Sequence, residues 1–477
     1  AGTKTATRAD APPPEPRLSP TNMDSVYTLT AVIALLLVAL VFVFRRRTSA
    51  SNVPVLTPKL AELVQSSQHD GLCLAHDELG DVFRLPGSEP IFYFRNADTV
   101  GRLCTDNSFV KNDAVYKVVD GVVNVSNLVQ PLLNNTLFQK DGPEWKQTRK
   151  DINPLFASPD YTPVALELMS RHLATIGDGA ECDLQEELHV VLQQAVMRLM
   201  TGIDMPDEAA ADYAECIKHF GAKTTTDLSQ ADAAMLLKVY PHALAAVQQV
   251  RELGPSSTPT ISRSLLGLML KADRYTDDEM ARTLVNMIVA GAESPAAGIA
   301  KTIAGVAAHP KVLKKIHEEL DTVVGKRAIT SADVPQFKYL ENVLKEGHRR
   351  WDPATVISRR VKADVELDGV RVPAGSLAVV CVHAVHMDKR QWDRPDDFVP
   401  ERFEGEIHPF AWVPFGGGPR GCPGKRATML LGKAILGELY SKYDVALQVP
   451  LAEMDKHVDK YSSWSGIGVP VSLRRRC

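Results

Sequence analysis

Residues 414–424 read Pro-Phe-Gly-Gly-Gly-Pro-Arg-Gly-Cys-Pro-Gly, and no other segment limits the fold as much. Gly416, Gly418 and Gly421 satisfy the G-x-G-x-x-G spacing of a dinucleotide loop. Two facts oppose that reading. Only 56 residues follow Gly421, too few for the remainder of a doubly wound sheet, and Pro419 removes an amide that a phosphate cradle needs. The alternative is that the glycines let the backbone close around the Cys422 sulfur. The run Lys425–Tyr440 has helical character, so a helix N-terminus and free amides would face a thiolate there. Arg420, two residues earlier, would neutralise an anionic group beside it. A lone cysteine in this setting suits a soft metal ligand that must stay anionic. A structural buried cysteine is the competing reading, but it has no need of the glycines.

The rest of the chain surrounds that loop with helices. From about Asp141 to Lys345, apolar residues recur at three- and four-residue spacing, as in Leu184–Met200 and Ala233–Leu253. A long helix is expected over about 277–309, and Pro310 opens another as a first-turn proline. Val82–Leu85 and Ile91–Phe94 read as a hairpin, and residues 355–382 as short strands with turns at Asp368-Gly369 and Pro373-Ala374-Gly375. The expectation is a mainly α domain with a small β region, undivided over 59–477.

Ahead of it, residues 26–44 carry no charge and are followed by Arg45-Arg46-Arg47. Nineteen helical residues span roughly 28 Å, the thickness of a bilayer core, so a transmembrane anchor is expected. The arginines place the large domain on the cytosolic side. A cleaved signal peptide is the alternative, although no small-x-small site follows. Residues 1–25 read as a disordered or non-native extension and 45–58 as a connector. Lys and Arg total 54 against 58 Asp and Glu, for a net charge of −4, which excludes a nucleic-acid binder held by bulk positive charge. The seven cysteines show no C-x-x-C spacing, so neither a zinc module nor a disulfide framework is indicated.

Four further constellations bear on the cysteine loop. Glu346 and Arg349 lie three apart on one helix face, with Pro400-Glu401-Arg402-Phe403 downstream. Trp145 and Arg149 lie four apart, a spacing that a surface stack would also give. Ala290-Gly291-Ala292-Glu293-Ser294-Pro295 lies inside the long helix, where Pro295 removes the amide for the Gly291 carbonyl and should kink it. His383 and His386 lie three apart and would suggest a metal pair.

Together these resemble the cytochrome P-450 family. Phe-Gly-Gly-Gly-Pro-Arg-Gly-Cys-Pro-Gly resembles its heme loop F-x-x-G-x-x-x-C-x-G. Glu346-Gly347-His348-Arg349 looks like its E-x-x-R, Trp145 to Arg149 its W-x-x-x-R, and 290–294 its [AG]-G-x-[DE]-[TS] oxygen-activation segment. The stretch 384–389 matches a structural segment rather than a zinc site. The matches run from Trp145 to Gly424. The resemblance implies a helical prism holding heme b, with Cys422 as the axial iron ligand and Phe415, Gly416, Arg420, Trp145, Arg149 and Arg359 as heme contacts. Arg360 is too close to Arg359 for the sequence to exclude it. Glu346, Arg349 and Arg402 would form a scaffold, and Glu293 and Ser294 a proton relay. Ser294 stands where Thr is usual, and its looser rotamer puts tight coupling in doubt.

The activity implied is monooxygenation of a lipophilic substrate with dioxygen, using electrons from NADPH through a diflavin reductase, on the endoplasmic reticulum membrane. A same-fold isomerase or dehydratase, and a heme-thiolate sensor without turnover, are the rivals. The Glu293-Ser294 pair favours the first.

Overall fold

The computed structural model describes residues 53–87, 90–110, 137, 140–157, 161–222, 230–354, 356–454 and 468–476. The expected extension at 1–25, the apolar helix at 26–44 and most of the connector lie outside the described residues. Among the described residues no helix is long and apolar enough to cross a membrane.

The N-terminal part carries helices α1 (Pro58–Ser66), α2 (Gln68–Leu79) and α3 (Ala97–Thr105) with strands β1 (Val82–Arg84), β2 (Ile91–Phe94) and β3 (Phe109–Val110). A helical stretch follows: α4 (Gly142–Ala157), α5 (Tyr161–Thr175), strand β4 (Glu181–Asp183), α6 (Leu184–Thr201), α7 (Asp207–Ala222), α8 (Gln230–Leu253), α9 (Pro259–Arg263), α10 (Leu265–Ala272), α11 (Asp277–Ala308), α12 (Pro310–Val323) and α13 (Lys338–Arg350). Then come β5 (Val356–Val361), β6 (Val365–Leu367), β7 (Val370–Val372), β8 (Leu377–Cys381), α14 (Val382–His386), α15 (Lys425–Lys442), β9 (Tyr443–Leu447), α16 (Leu451–Met454) and β10 (Pro470–Arg475).

The sheets are small. One is ordered β1-β2-β8-β5-β3, with β2 and β8 parallel and the other neighbours antiparallel. A second is ordered β4-β10-β9, and β6 pairs with β7. The hairpin read at 82–94 forms as expected. The parallel pairing of its second strand with residues 377–381 has no signature in local sequence.

Helix α11 organises the interior. Thr276 and Glu279 close a reciprocal capping box at its start, with Asp277 and Asp278 in the same turn. Over its 32 residues it packs on α6, α8, α13 and α15, and its C-terminal half is largely buried and rich in alanine, glycine and isoleucine. Small residues permit this close approach. A Cβ on Gly347 of α13 would stand 1.9 Å from Thr302 Oγ1 on α11, so only glycine fits there. The N-terminus of α13 has no side-chain cap of its own; instead the Glu319 carboxylate of α12 accepts from the amides of Lys338, Tyr339 and Leu340 at 2.6, 2.6 and 3.0 Å. That fixes the register of the helix carrying Glu346.

Candidate functional site around Cys422

The loop 414–424 is shaped as its glycines suggest. Gly416 and Gly418 have φ of 64° and 63°, and a Cβ on Gly418 would stand 2.1 Å from the Cys104 carbonyl oxygen at the end of α3. The chain therefore passes against α3 and turns back, where the Cys422 amide donates to the Phe415 carbonyl at 2.8 Å. Cys422 then sits just before α15, whose N-terminus has no side-chain cap. Of the six described cysteines, all free thiols, it is the exposed one. Protein nevertheless hems it in enough that desolvation pushes its thiol up. The Gly424 amide, the Arg149 guanidinium and the Lys425 amide pull the other way. Cys381, by contrast, is buried in β8 with its sulfur 3.1 Å from His76 Nε2, and burial raises its thiol well above the ordinary range.

Three arginines surround the loop. Arg149 reaches the Gly421 carbonyl at 3.3 Å. Arg420 lies over the Trp145 ring, 3.8 Å from its centroid, and bonds the Lys140 carbonyl and the Asp141 carboxylate. The face of the Trp145 indole is thus covered by Arg420, while its ring N–H is not engaged by that contact. In β5 the two-residue alternation turns Arg359 inward and buries it, while Arg360 bonds the Gly375 carbonyl at the surface. Among the described residues, Arg359 donates to the adjacent Ser358 carbonyl, at 2.8 Å. Among the described residues neither Arg149 nor Arg359 has a carboxylate partner, and desolvation pushes both pKa values down. Two such cations beside a cysteine loop fit a group that brings its own carboxylates, as heme does with its propionates.

Beneath the loop, Glu346 and Arg349 meet bidentately at 2.7 and 2.9 Å with no solvent exposure. Arg402 joins them, Nε to Glu346 Oε1 at 3.0 Å, and the Val399 amide donates to the same oxygen at 2.8 Å. Both guanidiniums bond backbone carbonyls between His386 and Asp397 and flank the Trp392 ring. His348, between the two motif residues, stacks on Phe415 with centroids 5.3 Å apart. The knot thus supports the loop from below.

On α11, Ala290 is exposed and Glu293 and Ser294 are half-buried, although the helix is central. The Ser294 hydroxyl donates to the Ala290 carbonyl at 2.9 Å, so its lone pairs face outward as acceptors. Pro295 lies within the continuous helix, and the Gly291 carbonyl receives no amide from residue 295. Glu293 raises the neighbouring Cys216 thiol, after burial and Glu215. Sequence reasoning did not find Asp141, Glu319 or Trp392, each distant in sequence from the group it holds.

The cytochrome P450 family model matches residues 52–461. The chain belongs to that family. It is 34% identical over 185 residues to cytochrome P450 3A11 of Mus musculus, 37% of each chain. It is 27% identical over 346 residues to cyclooctat-9-en-7-ol 5-monooxygenase of Streptomyces melanosporofaciens, 67% of this chain and 74% of that one. A third relative, lithocholate 6-beta-hydroxylase of Mesocricetus auratus, is 37% identical over 160 residues, 32% of each. The chain spans about a third to a half of the length of most relatives it matches. Membership in the family implies a heme iron held through a cysteine.

Proposed function

We propose that the protein is a heme-thiolate monooxygenase in which Cys422 holds the iron. The observation that carries this is the exposed Cys422 in its glycine loop, beside Arg149 and Arg359, two cations without carboxylate partners among the described residues. Heme b, when bound, supplies the oxidation: with dioxygen, two electrons and two protons, one oxygen atom enters a substrate C–H bond and the other leaves as water.

The chain's own residues do the rest. The Gly424 and Lys425 amides and Arg149 favour the thiolate of Cys422 over the thiol. Arg149 and Arg359 balance the charge of the cofactor's carboxylates, with Trp145 closing the pocket beside Arg420 and with Phe415 and Gly416 bordering it. Glu346, Arg349 and Arg402 hold the loop still. On the opposite helix, Glu293 and Ser294 would pass protons inward: Ser294 accepts a proton at Oγ and gives up its own hydrogen, which must first turn away from the Ala290 carbonyl.

Electrons would come from NADPH through a diflavin reductase, with residues 26–44 anchoring the enzyme in the endoplasmic reticulum membrane and 59–477 facing the cytosol. The uncharged run and the arginines after it support that placement. A lipophilic substrate fits a membrane-bound site. Relatives named for lithocholate and cyclooctat-9-en-7-ol, both largely hydrocarbon, point the same way.

The test is the carbon monoxide difference spectrum of the reduced protein beside Cys422→Ser, followed by NADPH-dependent turnover with reductase. A strongly red-shifted Soret band, lost in the variant, is expected. Heme binding without that band would overturn the assignment of Cys422. A normal band with no reductase-dependent product would favour the isomerase or sensor reading.

A further inference from the structure

Asp352 is fully buried among histidines that the cysteine site does not use. It follows α13 directly, and its carboxylate is met by side chains from two other segments. His69 on α2 places Nε2 3.6 Å from Oδ2, and His383 on α14 places Nδ1 2.8 Å from Oδ1. His69 Nε2 is also 3.2 Å from the Asp352 carbonyl oxygen. The two imidazole rings meet edge to face with centroids 4.9 Å apart. All three residues are buried, and their ligand atoms lie within 4.8 Å of one another.

The two carboxylate–imidazole separations are close to what one ion requires. Nitrogen and oxygen ligands about 2.0–2.1 Å from a tetrahedral zinc lie roughly 3.3 Å from each other. The two observed carboxylate–imidazole distances fall on either side of that value. The charges also suit a divalent cation. A buried carboxylate is costly beside neutral imidazoles and favourable beside a metal that binds both.

His386 is nearer in sequence to His383 but has another role. Its Nε2 accepts the Val413 amide at 2.9 Å, so its proton resides on Nδ1, which faces Asp352 Oδ1 at 3.7 Å. A ligand nitrogen must offer a lone pair, and Nδ1 has none to give. His386 orients the carboxylate from behind, as residues outside a metal's ligand set commonly do. The i, i+3 histidine spacing in the sequence therefore marks the wrong pair. The partner of His383 lies 314 positions away, at His69.

We propose that His69, Asp352 and His383 bind one zinc-type divalent ion, with water in the fourth position, as a structural clamp separate from heme. The clamp ties α2 to the segment after α13. It acts on the cysteine site through His386, whose carbonyl accepts from Arg349 at 2.8 Å and whose ring holds the amide preceding Pro414. It does not depend on the function proposed above.

The test uses the full-length heme-loaded protein purified without a histidine tag, incubated with zinc and dialysed. Elemental analysis should find about one zinc per chain. Zinc K-edge absorption should show only nitrogen and oxygen neighbours at about 2.0–2.1 Å. His69→Gln and Asp352→Asn should each lose most of that zinc, with iron per chain unchanged in His69→Gln. Chelation should lower the melting temperature of the wild type and leave that of His69→Gln unmoved. Zinc well below one per chain in the wild type, or equal zinc in wild type and His69→Gln, would overturn the proposal. The wild-type measurement decides even if Asp352→Asn fails to fold.

Discussion

The guanidinium of Arg420 lies over the indole of Trp145, 3.8 Å from the ring centroid, and this stack clips the cysteine loop to the start of α4. Asp141 and the Lys140 carbonyl take two of the remaining arginine hydrogens, so the contact is fixed in orientation as well as position. Desolvation pushes the Arg420 pKa down to about 10, which leaves it charged at neutral pH while stripping the water that would weaken the attraction. Arg420 sits two residues before Cys422, so any looseness here passes to the cysteine.

The stack should therefore be measurable in a double-mutant cycle. Trp145→Leu and Arg420→Met, singly and together, are expected to show a coupling of about 1–2 kcal/mol in urea unfolding, together with reduced heme per chain. A coupling near zero would mean that Trp145 acts through apolar burial alone.

Glu346 carries a larger load. Its two oxygens accept from two guanidiniums and one amide, all without water. Glu346→Gln leaves both arginines without a counter-charge, and a cost of about 3–5 kcal/mol is expected. Arg402→Lys keeps the charge at a less buried position and should cost roughly 1 kcal/mol. Chemical denaturation of the two variants checks the ranking. Equal losses would show that the bridge to Arg402 matters as much as the bidentate pair.

Why the glutamate knot could be read from sequence while other features could not is a matter of how its parts are encoded. Glu346 and Arg349 sit on one helical face by spacing alone, and the residues around Arg402 form a recognisable local string. Helices such as Leu184–Thr201 and Asp277–Ala308 announce themselves by apolar period and by their caps. The parallel pairing of β2 with β8 joins residues some 286 positions apart, and nothing local specifies it. The same holds for Glu319 capping α13 and for Arg420 choosing Trp145. Pro295 is a local fact of another kind: its missing amide can be read directly from the sequence, and it lies inside α11.

Gly347 illustrates that hidden packing. Its neighbours in the motif suggest only a weak helix position, yet a Cβ there would collide with Thr302 at 1.9 Å from Oγ1 and 2.7 Å from Cβ. Gly347→Ala is expected to destabilise by about 3 kcal/mol or more, because both helices are fixed by their other contacts. Adding Thr302→Ala should recover part of the loss, since it removes the oxygen but not the Cβ. Thermal melting of the single and double variants measures this, and no recovery would point to backbone strain instead.

Two buried histidines away from the cysteine loop predict a pH response. Burial lowers His76 and His189 from 6.5 to about 4, against weaker opposing effects from the Gly80 carbonyl and Glu186 respectively. The unfolded chain therefore takes up protons that the folded chain refuses. Stability should fall as pH drops from about 6.5 toward 4 and change little from these groups below that. Urea midpoints at pH 7.5, 6 and 5 should decline, and His189→Gln should flatten the decline. An unchanged slope in that variant would show that His189 titrates normally.

Ser294 tests the relay. Its hydroxyl hydrogen is engaged by Ala290, so the side chain can accept a proton at Oγ and release the bonded one only by rotating. Serine, with one fewer substituent on Cβ than threonine, also visits side-chain rotamers that carry Oγ away from the relay. Ser294→Ala should then divert NADPH electrons to hydrogen peroxide, raising peroxide per NADPH several-fold with heme content unchanged. Ser294→Thr should lower it below the wild type, because the added methyl holds the hydroxyl in place. Peroxide, product and NADPH measured in one reaction separate the outcomes. If alanine leaves the ratio unmoved, protons enter by another route, and Glu293→Gln becomes the variant that must change it.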